Sequence, residues 1–169
     1  MSMSFSRRKM LSAGGAAALA PAATIHSLAP QIVFPSVVTG PVFVLIEPLR
    51  VFDSRTAHPA LGGGKLVAGN SIGIPVGGVV DDGNPAAVYV NVTITDTEGA
   101  GYLVIRASDL TGERPFPQTS NINWSARGQT LANLVFTAVG GENTLQIYAG
   151  GVGRTHFILD VQGYIPVPT

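Results

Sequence analysis

Arg50, Asp53 and Arg55 form a compact group of opposite charges that could do acid–base chemistry. An aspartate can act as a general acid or base when its pKa lies near the working pH. Two neighbouring arginines instead favour the ionised carboxylate and lower its pKa, which makes Asp53 a poor general acid. The spacing therefore predicts a structural ion pair at this position and no catalytic residue.

The three histidines, His26, His58 and His156, offer no catalytic or metal-binding pair. His156 and Asp160 face the same side of a predicted strand, but two strand repeats separate them by about 13 Å, too far for a proton relay or a shared metal. No histidine has the spacing of a metal-ligand motif such as His-Glu-x-x-His, and the chain contains no cysteine. We therefore expect no metal site, no cofactor and no enzymatic activity.

The best candidates for ligand contact are side-chain amides around the single tryptophan, namely Asn121, Asn123, Trp124, Gln129 and Asn133. An indole beside amides can stack on a sugar ring and hydrogen-bond to it, since ligand sites combine apolar surface with a few polar groups. Amides at strand ends equally often satisfy loop backbone groups, and a lone tryptophan is usually in the core. An exposed Trp124 would favour glycan binding, whereas a buried Trp124 would favour a structural role.

The composition favours an all-β domain and argues against a nucleic-acid partner. Glycine (21) and proline (12) are abundant and charged residues make up only 12%, a mixture typical of sandwiches or barrels with many tight turns. The formal net charge is zero, and no cluster of lysine or arginine follows residue 9. The basic patch that accompanies nucleic-acid binding is therefore missing from the sequence.

Strand signals recur from residue 49 onward, bounded by turns rich in Gly, Asn and Asp. The clearest runs from Val88 to Thr95, where apolar residues alternate with Tyr, Asn and Thr, so that one face is predicted to be buried. Glu98–Gly101 is interpreted as the turn of a hairpin that leads into a strand at Tyr102. The sequence predicts a single antiparallel β-sandwich or jelly-roll-like domain in residues 49–169, preceded by an extended N-terminal arm.

The segment before this domain supports two incompatible interpretations. Arg7 and Arg8, followed by an Ala/Gly-rich run that ends near Ala23, resemble a twin-arginine export signal. The run is too short to span a bilayer as a stable helix. Alternatively, residues 1–23 are a retained docking arm that a Pro-rich extended linker in residues 24–48 joins to the domain. The first interpretation makes the protein secreted or displayed on the cell surface, and the second makes it part of an assembled particle.

Six short motifs occur in one order between Arg50 and Tyr164. They are Arg50-x-x-Asp53-x-Arg55, Val88 to Thr93, Gly101 to Leu103, Ser120 to Asn123, Gly128 to Val135, and His156 to Tyr164. In this order they resemble a β-rich module that is common in secreted actinobacterial proteins and in minor tail proteins of actinobacteriophages. The resemblance implies a non-catalytic accessory or adhesion role.

Two functions are therefore expected. The first is a structural or adhesion protein of an actinobacteriophage virion, a minor tail protein that forms a homo-oligomer, with a trimer as the arrangement the resemblance implies. Its partners would be neighbouring virion proteins and the glycan of the host cell wall. The alternative is a secreted surface protein, exported by the twin-arginine route, whose β-sandwich binds glycan. Neither function involves nucleic acid or a membrane span.

Overall fold

The computed structural model describes residues 42–79, 84–108 and 119–167, which form one β-domain. Nine strands follow one another in these ranges: β1 (Val44–Asp53), β2 (Leu66–Val67), β3 (Ser71–Pro75), β4 (Pro85–Glu98), β5 (Gly101–Ala107), β6 (Ile122–Trp124), β7 (Leu131–Ala138), β8 (Thr144–Gly151) and β9 (Arg154–Pro166). Short 3-10 turns at Gly77–Val79 and Gly141–Asn143 precede β4 and β8. The predicted segment 1–23 and the linker up to residue 41 lie outside the described residues.

The longest strand, β4, shows how the sequence pattern produces the core. Val88, Val90, Val92 and Ile94 are all at most 1% exposed, while the alternate residues face the other side and are partly exposed. Their branched side chains are stiff at χ1 and pack well on a pleated surface. The predicted period of two is confirmed in this strand.

The strands make two antiparallel sheets that pack face to face. The first sheet has the order β1-β9-β4-β7 with the short β2 beside β9, and the second has the order β3-β8-β5-β6. Apart from β2, β1 pairs with β9, β3 with β8, β4 with β7 and β5 with β6, as in a two-stranded ribbon that has been folded over. This is the jelly-roll arrangement. The predicted all-β antiparallel sandwich is therefore confirmed.

One buried cluster fills the space between the sheets. The first sheet contributes Phe52, Val90 and Leu159, and the second contributes residues such as Leu103 and Ile147. Each of these side chains is at most 3% exposed. At about 25 cal/mol for each square ångström of apolar surface removed from water, this shared core is the main stabilising term of the domain.

The predicted hairpin between β4 and β5 is wrong. β4 lies between β9 and β7, whereas β5 lies between β8 and β6. Because both sides of β4 are occupied, the chain crosses to the other sheet at Gly99 and Ala100. Asp96 (φ 49°) and Gly99 (φ 66°) have positive φ, and the pairing with β9 shifts between Thr95 and Glu98. The end of β4 therefore bends away from its sheet before the crossing.

The first strand begins at Val44, inside the range 24–48 that the sequence analysis assigned to the linker. It pairs with β9, and the register shifts between Leu45 and Leu49. Pro48 lies in this shift, which is where an edge strand tolerates a residue without an N–H. The proline therefore makes the edge irregular without ending the strand.

Candidate functional site

Asp53 lies on the outer face of the first sheet, between two arginines. Its Oδ2 is 2.6 Å from Arg55 Nη2 and 3.6 Å from Arg50 Nη1, and Arg50 Nε in turn lies 2.8 Å from Asp160 Oδ1. The hydrogen bond from Arg55 holds the pKa of Asp53 at about 2, below its usual range. The structure thus brings Arg50, Asp53 and Arg55 together and adds Asp160 to them. The Asp53 carboxylate thus ties β1 to Arg55 in the turn that follows it, while Arg50 ties β1 to Asp160 of β9.

The sequence analysis missed a contact between Ser54 and His156. Ser54 Oγ lies 3.1 Å from His156 Nδ1 and accepts a 2.9 Å hydrogen bond from the Phe157 N–H. A serine nucleophile needs an accessible Oγ and a histidine whose second nitrogen is oriented by another group. Ser54 is only 1% exposed, and its hydroxyl already fixes the backbone of β9. The pair fastens the turn after β1 to β9, and no sequence signal links residues 102 positions apart.

A second group of connected ion pairs lies near β2. Lys65 Nζ is 2.6 Å from both Asp96 Oδ2 and Glu98 Oε1, and Arg154 Nη2 is 2.7 Å from Glu98 Oε2. Hydrogen bonds from Lys65 and then from Arg154 hold the pKa of Glu98 at about 2. The four charges connect the segment before β2, the end of β4 and the start of β9. Their arrangement serves cohesion, because each charge already has a partner of opposite sign.

The amides that the sequence analysis nominated for ligand contact are bonded within the protein. Asn121 Oδ1 accepts a 2.7 Å hydrogen bond from the Ile105 N–H. Gln129 Oε1 accepts hydrogen bonds from the N–H groups of Ser125 (2.8 Å) and Ala126 (2.9 Å). Both amides therefore satisfy backbone groups, Asn121 within β5 and Gln129 in the turn that follows β6.

The remaining two amides hold the same region together. Asn133 Nδ2 donates to the Asn121 carbonyl at 2.6 Å, and Asn123 Nδ2 donates to Ser120 Oγ at 2.9 Å. The first of these bonds joins β7 of one sheet to the residue before β6 of the other. Of the four amides, only Asn123 and Asn133 are exposed.

Trp124 belongs to the core between the sheets. Its side chain is 4% exposed, and its ring lies so close over Gly101 that a Cβ at that position would overlap Cζ2 of the indole. A sugar needs an open ring face on which to stack, and this indole presents none. Glycan binding by Asn121, Asn123, Trp124, Gln129 and Asn133 stays a prediction, without the exposed indole on which it depended.

Three aromatic rings form a line across the outer face of the first sheet, and we call Phe43, Tyr89 and Phe136 the aromatic row. The ring centroid of Tyr89 is 4.6 Å from that of Phe43 and 4.5 Å from that of Phe136. Phe43 can reach Tyr89 because the intervening residue of β9 is Gly163, where a Cβ would lie 2.6 Å from the Phe43 ring. Phe43 is 39% exposed and Phe136 is 51% exposed. The row is therefore open to solvent.

The surface on one side of the aromatic row is uncharged. Strand register places Leu45 in the same cross-strand line as Tyr89, and it places Ala87, Ala138 and Ile165 in the next line. Leu45 is 75% exposed, and Leu134, which lies beside Phe136, is 51% exposed. On the other side, the ion pair of Arg50 and Asp160 lies in the next cross-strand line, which also contains Leu134. Exposed apolar patches with a polar rim mark sites of interaction.

The sequence analysis missed the aromatic row because its members come from three separate segments. The alternation in β4 correctly assigned Tyr89 to the outer face, but nothing in the sequence gives the register that sets Phe136 beside it. The one available signal is the apolar run Val42–Ile46, which the sequence allows as a strand that pairs with another chain or with the edge of the domain. In the structure, Val44 and Leu45 pair with β9 at that edge.

Three further findings bear on the site. Within the described residues, no group of three or more His, Asp or Glu side chains could hold a metal ion. In the same part of the chain, no helix is long and apolar enough to cross a membrane. Comparisons with protein-family models, with curated proteins and with solved structures found no match to this chain.

Proposed function

We propose that this protein is a non-enzymatic structural subunit that assembles with other subunits, as a minor tail component of an actinobacteriophage virion. The observation that carries the proposal is the aromatic row with the exposed leucines beside it. Tyrosine and phenylalanine are enriched where proteins contact one another, and charged residues are depleted at the centres of such contacts. Covering Phe43, Leu45, Leu134 and Phe136 would remove apolar surface from water at about 25 cal/mol per Å².

The polar clusters support a cohesive role for the domain. Asp53, Ser54 and Glu98 each sit where a turn or segment end meets β9, and each is already bonded to a neighbour. Groups used for catalysis need hydrogen-bond donors or acceptors that are unused within the protein and directed at a substrate. These groups instead direct their hydrogen bonds at the protein's own backbone and charges.

The fold gives a second and weaker line of support. Jelly rolls occur in viral capsid domains and in lectin domains, but a fold hosts many functions and does not specify one. The ordered motifs from Arg50 to Tyr164 resemble a module of actinobacteriophage minor tail proteins as well as of secreted proteins, and the first of these resemblances supports the virion role.

The alternative function is a surface protein exported by the twin-arginine route. Arg7, Arg8 and the Ala-rich run after them favour it. Its glycan-binding part relied on an exposed Trp124, and the indole is 4% exposed. The aromatic row does not compensate, since the neighbouring carboxylate, Asp160, is already paired with Arg50 and ligand sites need polar groups that are directed at the ligand.

The two functions separate in one experiment on the protein from its natural source. Intact and native mass would be measured for the protein in purified phage particles and in particle-free culture medium. A virion subunit is expected in the particles at a fixed ratio to the other tail proteins, with its N-terminal segment retained. A chain shortened by about twenty residues, monomeric and confined to the medium, would overturn the proposal in favour of export.

A further inference from the structure

β7 is the last strand of the first sheet, and its side opposite β4 has no strand beside it among the described residues. β7 pairs with β4 without any shift of register. The Val139 N–H donates to the Ala86 carbonyl at 2.9 Å, so odd-numbered residues of β7 direct their backbone groups toward β4. The N–H and C=O groups of Ala132, Leu134 and Phe136 consequently point away from the sheet. Within the described residues, none of these groups has a backbone partner on that side.

The other edges of the two sheets are protected, which makes β7 distinctive. β1 contains Pro48, Glu47 and an irregular register; β3 has five residues and ends at Pro75; β6 has only three residues. Prolines, charges, bulges and short length are the devices that keep sheet edges from pairing with other chains. β7 has eight residues, with neither a charge nor a proline among them. Its regular row of free donors and acceptors fits another strand.

We propose that β7 pairs antiparallel with β7 of a second copy of this chain, so that the first sheets of the two copies continue as one. The inference rests on the proposed function as an assembling subunit and names the partner and the surface. A two-fold contact of this kind uses the same strand on both subunits. An uncharged strand can pair with itself because no like charges come to lie opposite each other.

The side chains select the register. With the two-fold axis at Val135, Leu134 lies opposite the partner subunit's Phe136, Ala132 opposite its Ala138, and Asn133 opposite its Thr137. In this register, large apolar, small and polar side chains each lie opposite a side chain of the same type. Moving the axis to Leu134 would instead place Asn133 opposite Val135 on the inner side of the sheet. That arrangement would leave an amide against an apolar neighbour, which costs free energy.

The pairing also explains how the β7 edge relates to the aromatic row. Leu134 and Phe136 are both on the outer face, and each is 51% exposed. In the proposed register these side chains meet across the two-fold axis, so that the aromatic rows of the two copies join into one apolar surface. A two-fold pair differs from the trimer that the resemblance implies.

A disulfide cross-link tests the register directly, because the full chain has no cysteine of its own. The double variant A132C/A138C would place each introduced thiol opposite one from the partner, with Cα atoms about 5.5 Å apart, within the range of a disulfide. Within one chain the two positions are about 20 Å apart along the strand. Mild oxidation is therefore expected to give a covalent dimer of twice 17.4 kDa. The single variant A132C is the matched control and should remain monomeric on a denaturing gel.

A second measurement follows the non-covalent dimer by native mass spectrometry of the full chain. L134K places a charge beside the two-fold axis, opposite the partner subunit's Phe136, and is expected to weaken dimerisation at least tenfold, with an unchanged circular dichroism spectrum. V152K introduces the same charge at a residue that is 88% exposed in the turn between β8 and β9, and it should dimerise like the wild type. No cross-link in the double variant, an equal cross-link in A132C, or a dimer that survives L134K would each overturn the pairing.

These outcomes are separate from those that test the proposed function. A chain that is present in phage particles but fails both dimer tests would refute the β7 pairing and leave the virion function standing. A chain that dimerises through β7 but is absent from particles would do the reverse.

Discussion

Replacing Gly101 with alanine tests whether Trp124 is fixed in the core. Gly101 is the first residue of β5 and pairs with Trp124 on one side and Gly151 on the other. An added Cβ would lie 2.8 Å from the Gly150 carbonyl oxygen and closer still to the indole ring. Real Cβ atoms rarely approach a heavy atom so closely, so one of the neighbours has to move.

Neither neighbour can move freely. The Gly150 oxygen belongs to the ladder between β5 and β8, and the indole is buried in the cluster between the two sheets. Overpacking a well-packed core costs about 1–3 kcal/mol, and we place Gly101→Ala at about 3 kcal/mol because backbone and ring are both blocked. With a urea m-value of about 2 kcal/mol per molar for a domain of this size, the unfolding midpoint falls by about 1.5 M.

Urea unfolding followed by tryptophan fluorescence measures this effect, because Trp124 is the single tryptophan. Gly78→Ala is the matched control, since nothing lies within 4 Å of its added Cβ, and it should change stability by less than about 1 kcal/mol. A Gly101→Ala midpoint within about 0.3 M of that of Gly78→Ala would refute the reasoning. It would mean that Trp124 has room to move and is available for contacts other than those of the core.

Three other perturbations have defined outcomes. Asp53 and Glu98 have pKa values of about 2 in the folded protein against 3.8 and 4.5 without structure, so their stabilisation is complete above about pH 4.5 and is lost as the pH falls toward 2. Melting temperatures at pH 6, 4, 3 and 2 should therefore fall, and they should fall less in D53N/E98Q; equal losses in both proteins would contradict this. Ser54→Ala removes the acceptor of the buried Phe157 N–H and should cost about 1–3 kcal/mol in chemical unfolding, and a loss below about 0.5 kcal/mol would speak against the contact. Gly163→Ala places a Cβ 2.6 Å from the Phe43 ring and 2.7 Å from the Val44 carbonyl oxygen, so it should displace Phe43 from Tyr89. The displacement should change the NMR chemical shifts of the Tyr89 ring protons. Unchanged shifts would show that the aromatic row is not packed as described.

The parts of the fold that depend on local sequence could be predicted. Alternation from Val88 to Ile94 gave both the strand and its buried face, because that period is a property of neighbouring residues. The choice of partner strand could not be predicted in the same way. The short connection after Glu98 was interpreted as a hairpin, yet β7 and β9 already occupy both sides of β4. Pairing depends on which distant strand covers most apolar surface, and the sequence of one connection contains little of that information.

The candidate site shows the same division. Arg50, Asp53 and Arg55 lie within six residues of one another, so their ion pairs were within reach of sequence reasoning. The aromatic row joins residues of three segments, and only the register of β4 with β7 and the glycine in β9 bring the rings together. Side-chain amides that bond to the backbone of a turn and amides that are exposed to a sugar occur in segments of the same composition. The sequence therefore could not show whether Trp124 is buried or exposed beside them.

The position of β9 in the first sheet constrains how the protein can be made. β9 pairs with β1, β2 and β4, and its Tyr164 lies opposite Val44, so its partners are all synthesised well before it. A ribosome delivers the chain from its N-terminus, and until β9 has emerged the first sheet lacks the strand that joins β1 to β4. Contacts between such distant residues slow folding. The outer face of the first sheet and the outer side of β7 therefore acquire their final geometry only after β9, the last of the nine described strands, has been synthesised, which delays the proposed pairing through β7 until then.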